Sequence, residues 1–504
     1  MPASTSSAGS AGSAGPSHQG LGQLLEHALG GEVRHLHKIS GGASRVTSAF
    51  DLVAADGTCR RLVVQQDRGK GIAGPGRVRG EVALLRAAGG AGVPVPGVLA
   101  FGHDEADGLG YGWLVVERME GETIPRKILR DPEWAHARTV LTAQCARVLA
   151  AIHALDLPST EGLAGLPDRD PFCDPLSFLD ALSDTRPAIE FGARWLTRNR
   201  PPETRRVPLH GDFRLGNLMI GPEGLRAVLD WELAHVGDAA EDLAWLSAPA
   251  WRFGGPGEVG GFGDVAELLD VYAASGGESI EPERFRWWSV YATVKWATMC
   301  AMQGSAHLNG TTRSVESVAI GRRVCESEWD LFVLLGLAPD PTWRAAPASV
   351  SPAPPAPSAP PAPSASPSTP SPFGRPSAAE LVEAVREYLE DRGLEDRGLE
   401  DRGFEDRGRG DRGRGDSAPG ARFTVRVAGN VLAMVQRELQ WGAAFSEAHH
   451  RRLEALGFDD DRALAAAIRS GACDGQWSAV GEALAASARD QLLVANPSYL
   501  PTTG

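Results

Sequence analysis

A run of proline, alanine and serine, Pro339 to Pro376 with SVSPAPPAPSAPPAPSASPSTPSP at its centre, constrains this chain more than any other feature. Proline lacks a backbone donor and fixes φ, so the run can neither carry a helix nor join the middle of a sheet. Its Ala and Ser bury too little to build a core. It predicts an extended, partly polyproline II tether over 339–376. The chain is thereby cut into a long segment and a short one.

Ahead of the tract, residues 20–338 alternate apolar-periodic stretches with Gly and Pro punctuation, which predicts one large domain. Residues 1–19 are rich in Ala, Ser and Gly, with neither a basic region nor an apolar run; they predict a disordered leader and not a signal peptide. Behind the tract, Ser377 opens a helical pattern with Leu381, Val382, Val385 and Leu389 on one face. The repeat EDRGLEDRGLEDRGFEDRG follows and predicts a disordered, solvated insertion at 390–417, since a Gly in each unit costs a helix about 1 kcal/mol. Helical patterns then resume through Leu493, so 377–504 predicts a small all-α domain, for which a protein partner is left open.

Composition narrows the function. A net charge of −14 argues against nucleic acid as a partner. No apolar run reaches the ~18–20 residues a membrane span needs. The six cysteines are scattered without a CxxC pair, so neither a disulfide framework nor a zinc site is expected, and a cytoplasmic location fits.

Within the large domain, Val46–Val53 and Arg60–Gln65 predict two strands around the turn Ala55-Asp56-Gly57-Thr58, Gly80–Ala88 a helix, and Val95–Phe101 and Gly112–Arg118 further strands. Beyond Pro132 the pattern is mainly helical. Strands first and helices afterwards predict an α+β fold of two lobes, 20–117 and 120–338, with a cleft between them. The strongest chemical signal is Val207-Pro-Leu-His-Gly-Asp-Phe-Arg-Leu-Gly-Asn-Leu-Met-Ile220, followed by Ala227-Val-Leu-Asp-Trp-Glu232. Phosphoryl transfer needs one carboxylate to orient an acceptor hydroxyl, and a carboxylate and an amide oxygen to hold magnesium on the phosphates. Asp212, Asn217 and Asp230 supply those groups in order.

With HGDFRLGN, LDWELAHVGD, VKWA and GRRVCESEWD, the sequence resembles the aminoglycoside phosphotransferase and choline kinase superfamily, and within it the kinase-like domain fused to acyl-CoA dehydrogenases. The resemblance covers residues 20–337 and implies a two-lobed protein-kinase-like fold using ATP and Mg2+. It implies Asp212 as catalytic base, Asn217 and Asp230 as magnesium ligands, and Arg214 as a cation for transition-state charge. Gly41, Gly42 and Ser44 fall in the nucleotide-covering loop Ile39–Arg45, Glu81 is the helix carboxylate that pairs with a basic strand residue, and Glu117 to Met119 form the interlobe hinge against adenine. The strand LVVQQD departs from the family by placing Gln65 where a basic residue belongs, so Glu81 is expected to lack its partner unless Arg68 or Lys70 reaches in or a register shift brings Gln66 into play, with Arg45 and Arg214 next in line to neutralise the phosphates. Residues 377–504 resemble an uncharacterised helical domain that trails such kinases, through NVLAMVQREL and VANPSYL.

Other residues read as structural. His210 and His153 are expected to be packed and hydrogen-bonded, Asp238 and Asp242 to mark a helix start and brace a loop, and Trp231, Trp245, Trp251, Trp287, Trp288 and Trp296 mostly to fill the core. Arg322 and Arg323 are expected on a solvated helix face. The expected reaction is transfer of a γ-phosphoryl group to a small-molecule hydroxyl, with a hydroxyacyl-CoA as the acceptor the resemblance suggests. An aminoglycoside or other alcohol is the alternative acceptor, and a nucleotide-binding pseudokinase is the alternative of another class, favoured by Gln65.

Overall fold

The computed structural model describes residues 18–41, 45–67, 77–102, 112–156, 166–167, 185–339, 373–400 and 419–500. In chain order its elements begin with α1 (His18–Leu29), β1 (Glu32–Gly41), β2 (Arg45–Val53), β3 (Cys59–Asp67), α2 (Arg77–Gly90), β4 (Val98–Gly102), β5 (Trp113–Glu117), α3 (Pro125–Arg130) and α4 (Ala135–His153). Then come α5 (Pro187–Arg198), β6 (Arg206–Leu209), β7 (Leu218–Gly221), β8 (Gly224–Val228), β9 (His235–Asp238), α6 (Ala240–Ser247), α7 (Val265–Ala274) and α8 (Pro282–Leu308). The last are α9 (Val315–Arg322), α10 (Val324–Leu334), α11 (Ala378–Glu400), α12 (Pro419–Leu456), α13 (Asp461–Ser470) and α14 (Trp477–Ala495). Packing divides the chain into two compact units: 1–168 with 204–246 and 253–280, and 169–203 with 247–252 and 281–504.

The first unit carries the antiparallel sheet β1-β2-β3-β5-β4. Strand side chains alternate between faces, so Phe50 and Leu52, Leu62 and Val64, and Trp113 and Val115 bury one face together, closed by Leu21 and Leu25 of α1. The sequence reading missed α1 and β1; the signal for α1 was the helical spacing of Leu21, Leu24, Leu25 and Leu29. Two small antiparallel pairs, β6-β9 and β7-β8, carry the His-Gly-Asp loop and the Asp-Trp-Glu segment. Glu122, just past β5, exchanges backbone hydrogen bonds with Ile220 of β7 at 2.9 and 3.0 Å, tying the sheet's exit to that second pair.

The second unit is helical, and its packing ignores the composition boundary at 338. Ala188 and Phe191 of α5 and Phe332 of α10 share one core with Leu453, Leu464, Ile468, Val480 and Leu484 of α12 to α14. Val315 and Val318 of α9 share another with Leu381, Val385, Val431 and Val435. Phe191 stacks on Trp477 with ring centroids 3.8 Å apart. The C-terminal helices therefore build no separate core among the described residues; they complete one begun by α5, α9 and α10. Arg322 also differs from its expected solvated position: it is buried, donates to the carbonyls of Phe373 and Pro376, and pairs with Glu438. The repeat is partly ordered too. Helix α11 runs through its first units to Glu400, because Glu, Leu and Arg favour helix strongly enough to carry an occasional Gly. The remainder of the repeat and the tether at 340–372 lie outside the described residues.

Candidate active site

Strand β6 is followed directly by His210-Gly211-Asp212. Gly211 sits at φ +79°, where an added Cβ would lie 2.3 Å from the Leu233 carbonyl oxygen, so only glycine fits this turn. Asp242 of α6 braces it, accepting from the backbone N–H of His210 at 2.8 Å and of Gly211 at 2.9 Å. His153 Nε2 lies 3.3 Å from the same carboxylate, and its Nδ1 lies 2.9 Å from the Tyr272 hydroxyl. Burial works against ionisation of Asp242, but the bond to His153 and the His210 amide outweigh it and pull the carboxyl down to about 2. Asp242→Ala would orphan two buried amides and is expected to cost about 2–5 kcal/mol of stability, read by denaturant unfolding at neutral pH. Because the folded-state pKa is depressed, the wild-type contribution is present above the ordinary aspartate range and is lost as pH falls through about 2.

His210 is structural, as expected. Its Nε2 donates to the Leu229 carbonyl at 3.0 Å, and its Nδ1 accepts from the Asp212 amide at 3.2 Å. That pairing fits the neutral ring, and burial lowers its pKa further.

The carboxylate of Asp212 is held from three sides. Trp245 Nε1 donates to Oδ1 at 2.8 Å, Asn217 Nδ2 to Oδ2 at 2.6 Å, and Arg214 Nε approaches both oxygens at 3.0 and 3.2 Å. Asn217 Nδ2 also donates to the Asp212 carbonyl at 3.0 Å. With the side-chain nitrogen so engaged, the Asn217 side-chain oxygen Oδ1 is the end left for a cation. The Leu229 amide donates to the Asn217 backbone carbonyl at 2.8 Å, joining the Asp230 segment to this loop. Asp230 itself has φ +61°, a left-handed conformation that Asp tolerates better than most residues. Burial, then the charges of Glu232 and Asp212, push its carboxyl up to about 7 against an opposing pull from Arg45.

In the sheet, Gly41 ends β1 opposite Val46, while Gly42 and Ser44 lie outside the described residues. Gln65 lies opposite Thr47, and Glu81 is buried on α2. The expectation that Glu81 lacks a partner is corrected here, because Arg45, the first residue of β2, reaches it. Arg45 Nη1 and Nη2 meet the two Glu81 oxygens at 2.8 and 2.6 Å, Nε meets Asp67 at 3.0 Å, and Nη1 lies 3.5 Å from Gln65 Oε1. Burial opposes its charge, but Glu81 and Asp67 outweigh burial and raise its pKa. Arg68 and Lys70 lie outside the described residues. Glu117 ends β5 with an exposed side chain 3.1 Å from Arg60, and Met119 follows, half-buried.

Sequence reasoning missed Arg45 as the partner of Glu81 and Trp245 as a donor to Asp212. Strand register supplies the first and the orientation of α6 the second. Among the described residues no three His, Cys, Asp or Glu side chains group to hold a metal by themselves. One carboxylate and one amide oxygen with a neighbouring cluster of negative charge instead suit magnesium, which takes oxygen ligands and shares its shell with phosphate and water.

A five-stranded sheet tied through Glu122 and Ile220 to two small strand pairs, whose turns carry Asp212, Asn217 and Asp230, is the arrangement of a phosphotransferase of the protein-kinase-like fold. Residues 35–288, half of the chain, match the model of the Phosphotransferase enzyme family, and the chain belongs to that family, whose enzymes phosphorylate hydroxyl groups of small molecules. Residues 417–499 match a domain of unknown function (DUF6285). The chain is 34% identical over 173 residues to mouse acyl-CoA dehydrogenase family member 10, covering 33% of this chain and 16% of that protein. It is 29% identical over 250 residues to human acyl-CoA dehydrogenase family member 11, covering 45% of this chain and 31% of that protein. It thus spans less than a third of the length of these curated relatives. The crystal structure of a protein assigned as an aminoglycoside phosphotransferase from Ralstonia eutropha superposes with a TM-score of 0.50 at 21% identity, covering 64% of this chain and 99% of that one, which speaks to the fold. No described helix is long and apolar enough to cross a membrane.

Proposed function

We propose that this chain transfers the γ-phosphoryl group of ATP, with magnesium, to the hydroxyl of a hydroxyacyl-CoA. The observation that carries the reaction is the Asp212 carboxylate, fixed by Trp245, Asn217 and Arg214 at the end of β6. A carboxylate so oriented can take an acceptor hydroxyl's hydrogen bond and receive its proton as the oxygen attacks. Asn217 and Asp230 would hold magnesium, which when bound offsets the phosphate charge. Arg214 adds a cation beside the attacking oxygen. The hinge after Glu117, through Met119, and the loop carrying Gly41, Gly42 and Ser44 would hold the nucleotide. The acceptor class rests on the likeness to acyl-CoA dehydrogenase family members 10 and 11: a kinase segment within such proteins would act on a related thioester.

The raised Asp230 carboxyl makes the metal step pH-dependent. A divalent cation binds the carboxylate, so its proton must leave first. With the carboxyl at about 7, magnesium-ATP affinity is expected to rise about tenfold from pH 6 to pH 8, with proton uptake by the buffer seen in calorimetry. A flat profile would remove Asp230 as the ligand. The acceptor is tested by ADP release with hydroxyacyl-CoAs of differing hydroxyl position beside a set of aminoglycosides. ADP release driven by the thioesters supports the proposal; release driven by the aminoglycosides alone replaces the acceptor.

A further inference from the structure

A cation that holds the α2 carboxylate against the nucleotide cleft has to come from a strand beside it, and residue 65 of β3, a glutamine, cannot serve. Antiparallel register sets Arg45 opposite Asp67 and Thr47 opposite Gln65, so residues 45, 47, 65 and 67 share one face of the β2-β3 pair. From that face the Arg45 side chain crosses β3, pins its Nε on Asp67, passes Gln65 and forks onto Glu81. It is buried to 5% exposure, and its Nη1 lies 3.5 Å from the Gln65 side-chain oxygen on the way to that carboxylate. Arg45 is also the first residue of β2.

We infer that Arg45 has taken over the work of the missing β3 cation: it positions α2 through Glu81 and brings positive charge to the phosphate end of the cleft. The inference rests on the nucleotide-binding reading of this site. Two physical consequences follow. Helix α2 and the start of β2 are tied to one side chain, so a shift of either moves the other. And β3 has no call for a basic residue, because a second cation at 65 would compete with Arg45 for Glu81. The guanidinium suits the post better than an ammonium, since its planar fork satisfies Glu81 with two parallel bonds while Nε serves Asp67.

The test moves the cation from β2 to β3 in the whole 504-residue chain. Arg45→Gln is expected to weaken binding of magnesium-ATP tenfold or more, measured by calorimetry, and to lower the melting temperature. Gln65→Lys alone is expected not to tighten binding. Arg45→Gln combined with Gln65→Lys returns the cation to β3; it is expected to recover the melting temperature and to bind magnesium-ATP within about threefold of wild type. A role confined to anchoring the hairpin predicts no such rescue. If Arg45→Gln does not fold, the exchanged variant carries the test by itself. The inference is overturned if Arg45→Gln binds as wild type does, if the exchanged variant binds no better than the single one, or if the exchanged variant fails to fold. Absence of magnesium-ATP binding by wild type would count against the nucleotide reading instead, and the melting temperature of the exchanged variant would still judge the pairing.

Discussion

Asp212→Asn is expected to lower phosphoryl transfer about a hundred- to ten-thousand-fold while leaving magnesium-ATP affinity within a few-fold of wild type. The substitution keeps size and shape. An amide oxygen can still accept from Trp245, whose Nε1 lies 2.8 Å from Oδ1. What it removes is a group able to receive the proton of an attacking hydroxyl. Binding and chemistry should therefore separate: the loss appears in kcat and not in nucleotide affinity. Asp230→Ala should do the reverse, weakening metal-dependent nucleotide binding first. Steady-state kinetics with one accepted alcohol, beside calorimetry of nucleotide binding, measures both. An Asp212→Asn enzyme within tenfold of wild-type turnover would remove the base from this site.

The second large effect concerns the length of the chain. A fragment ending at Ala338 should lose the fold of its second unit. Phe191, Phe332, Val315 and Val318 would be stripped of Leu381, Val431, Leu453, Leu464, Ile468, Val480 and Leu484. Each large apolar side chain returned to water costs about 1.5–3 kcal/mol, against a typical total stability of about 5–15 kcal/mol. Glu190 and Glu328 are buried and paired in this unit, Glu190 with Arg469, so truncation also leaves Glu190 without that partner. The fragment is expected to be insoluble or to melt without cooperativity, and to recover when residues 373–504 are co-expressed with it. A soluble fragment with a cooperative melt within a few degrees of the full chain would contradict the shared core.

The difference between those two outcomes shows what the sequence could convey. The segment from His210 to Asp230 was legible as a motif because Asp212, Asn217 and Asp230 stand at short spacings along one stretch of chain, in the turns that flank β7 and β8. Strands β2 to β5 were legible through alternating apolar residues such as Leu62 and Val64, while α1 and β1 ahead of them were not. Arg45 was not assigned to Glu81, although it stood in the loop segment already singled out, because the pairing depends on how β2 and β3 align and on where α2 lies above them. Trp245 looked like core, and it is buried, yet its indole N–H finds Asp212 only once α6 is in place. The tether at 339–376 was read as a boundary between cores. Composition carries no information on whether the helices behind such a stretch return to the helices ahead of it. Here they do, through Arg322 and the cores of α5, α9 and α10. Asp242, by contrast, was legible as a loop brace, because a carboxylate at a helix start close after the motif has few other uses.

Phosphorus NMR of the whole chain with magnesium, ATP and hydroxyacyl-CoA decides whether phosphate reaches the acceptor hydroxyl. The γ-phosphate resonance of ATP is expected to disappear in step with the growth of one new phosphomonoester resonance and of ADP. Asp212→Asn, which still binds the nucleotide, is expected to show neither. ATP that is bound with magnesium and remains intact, with every acceptor tried, would contradict the proposed transfer and leave a nucleotide-binding module without it.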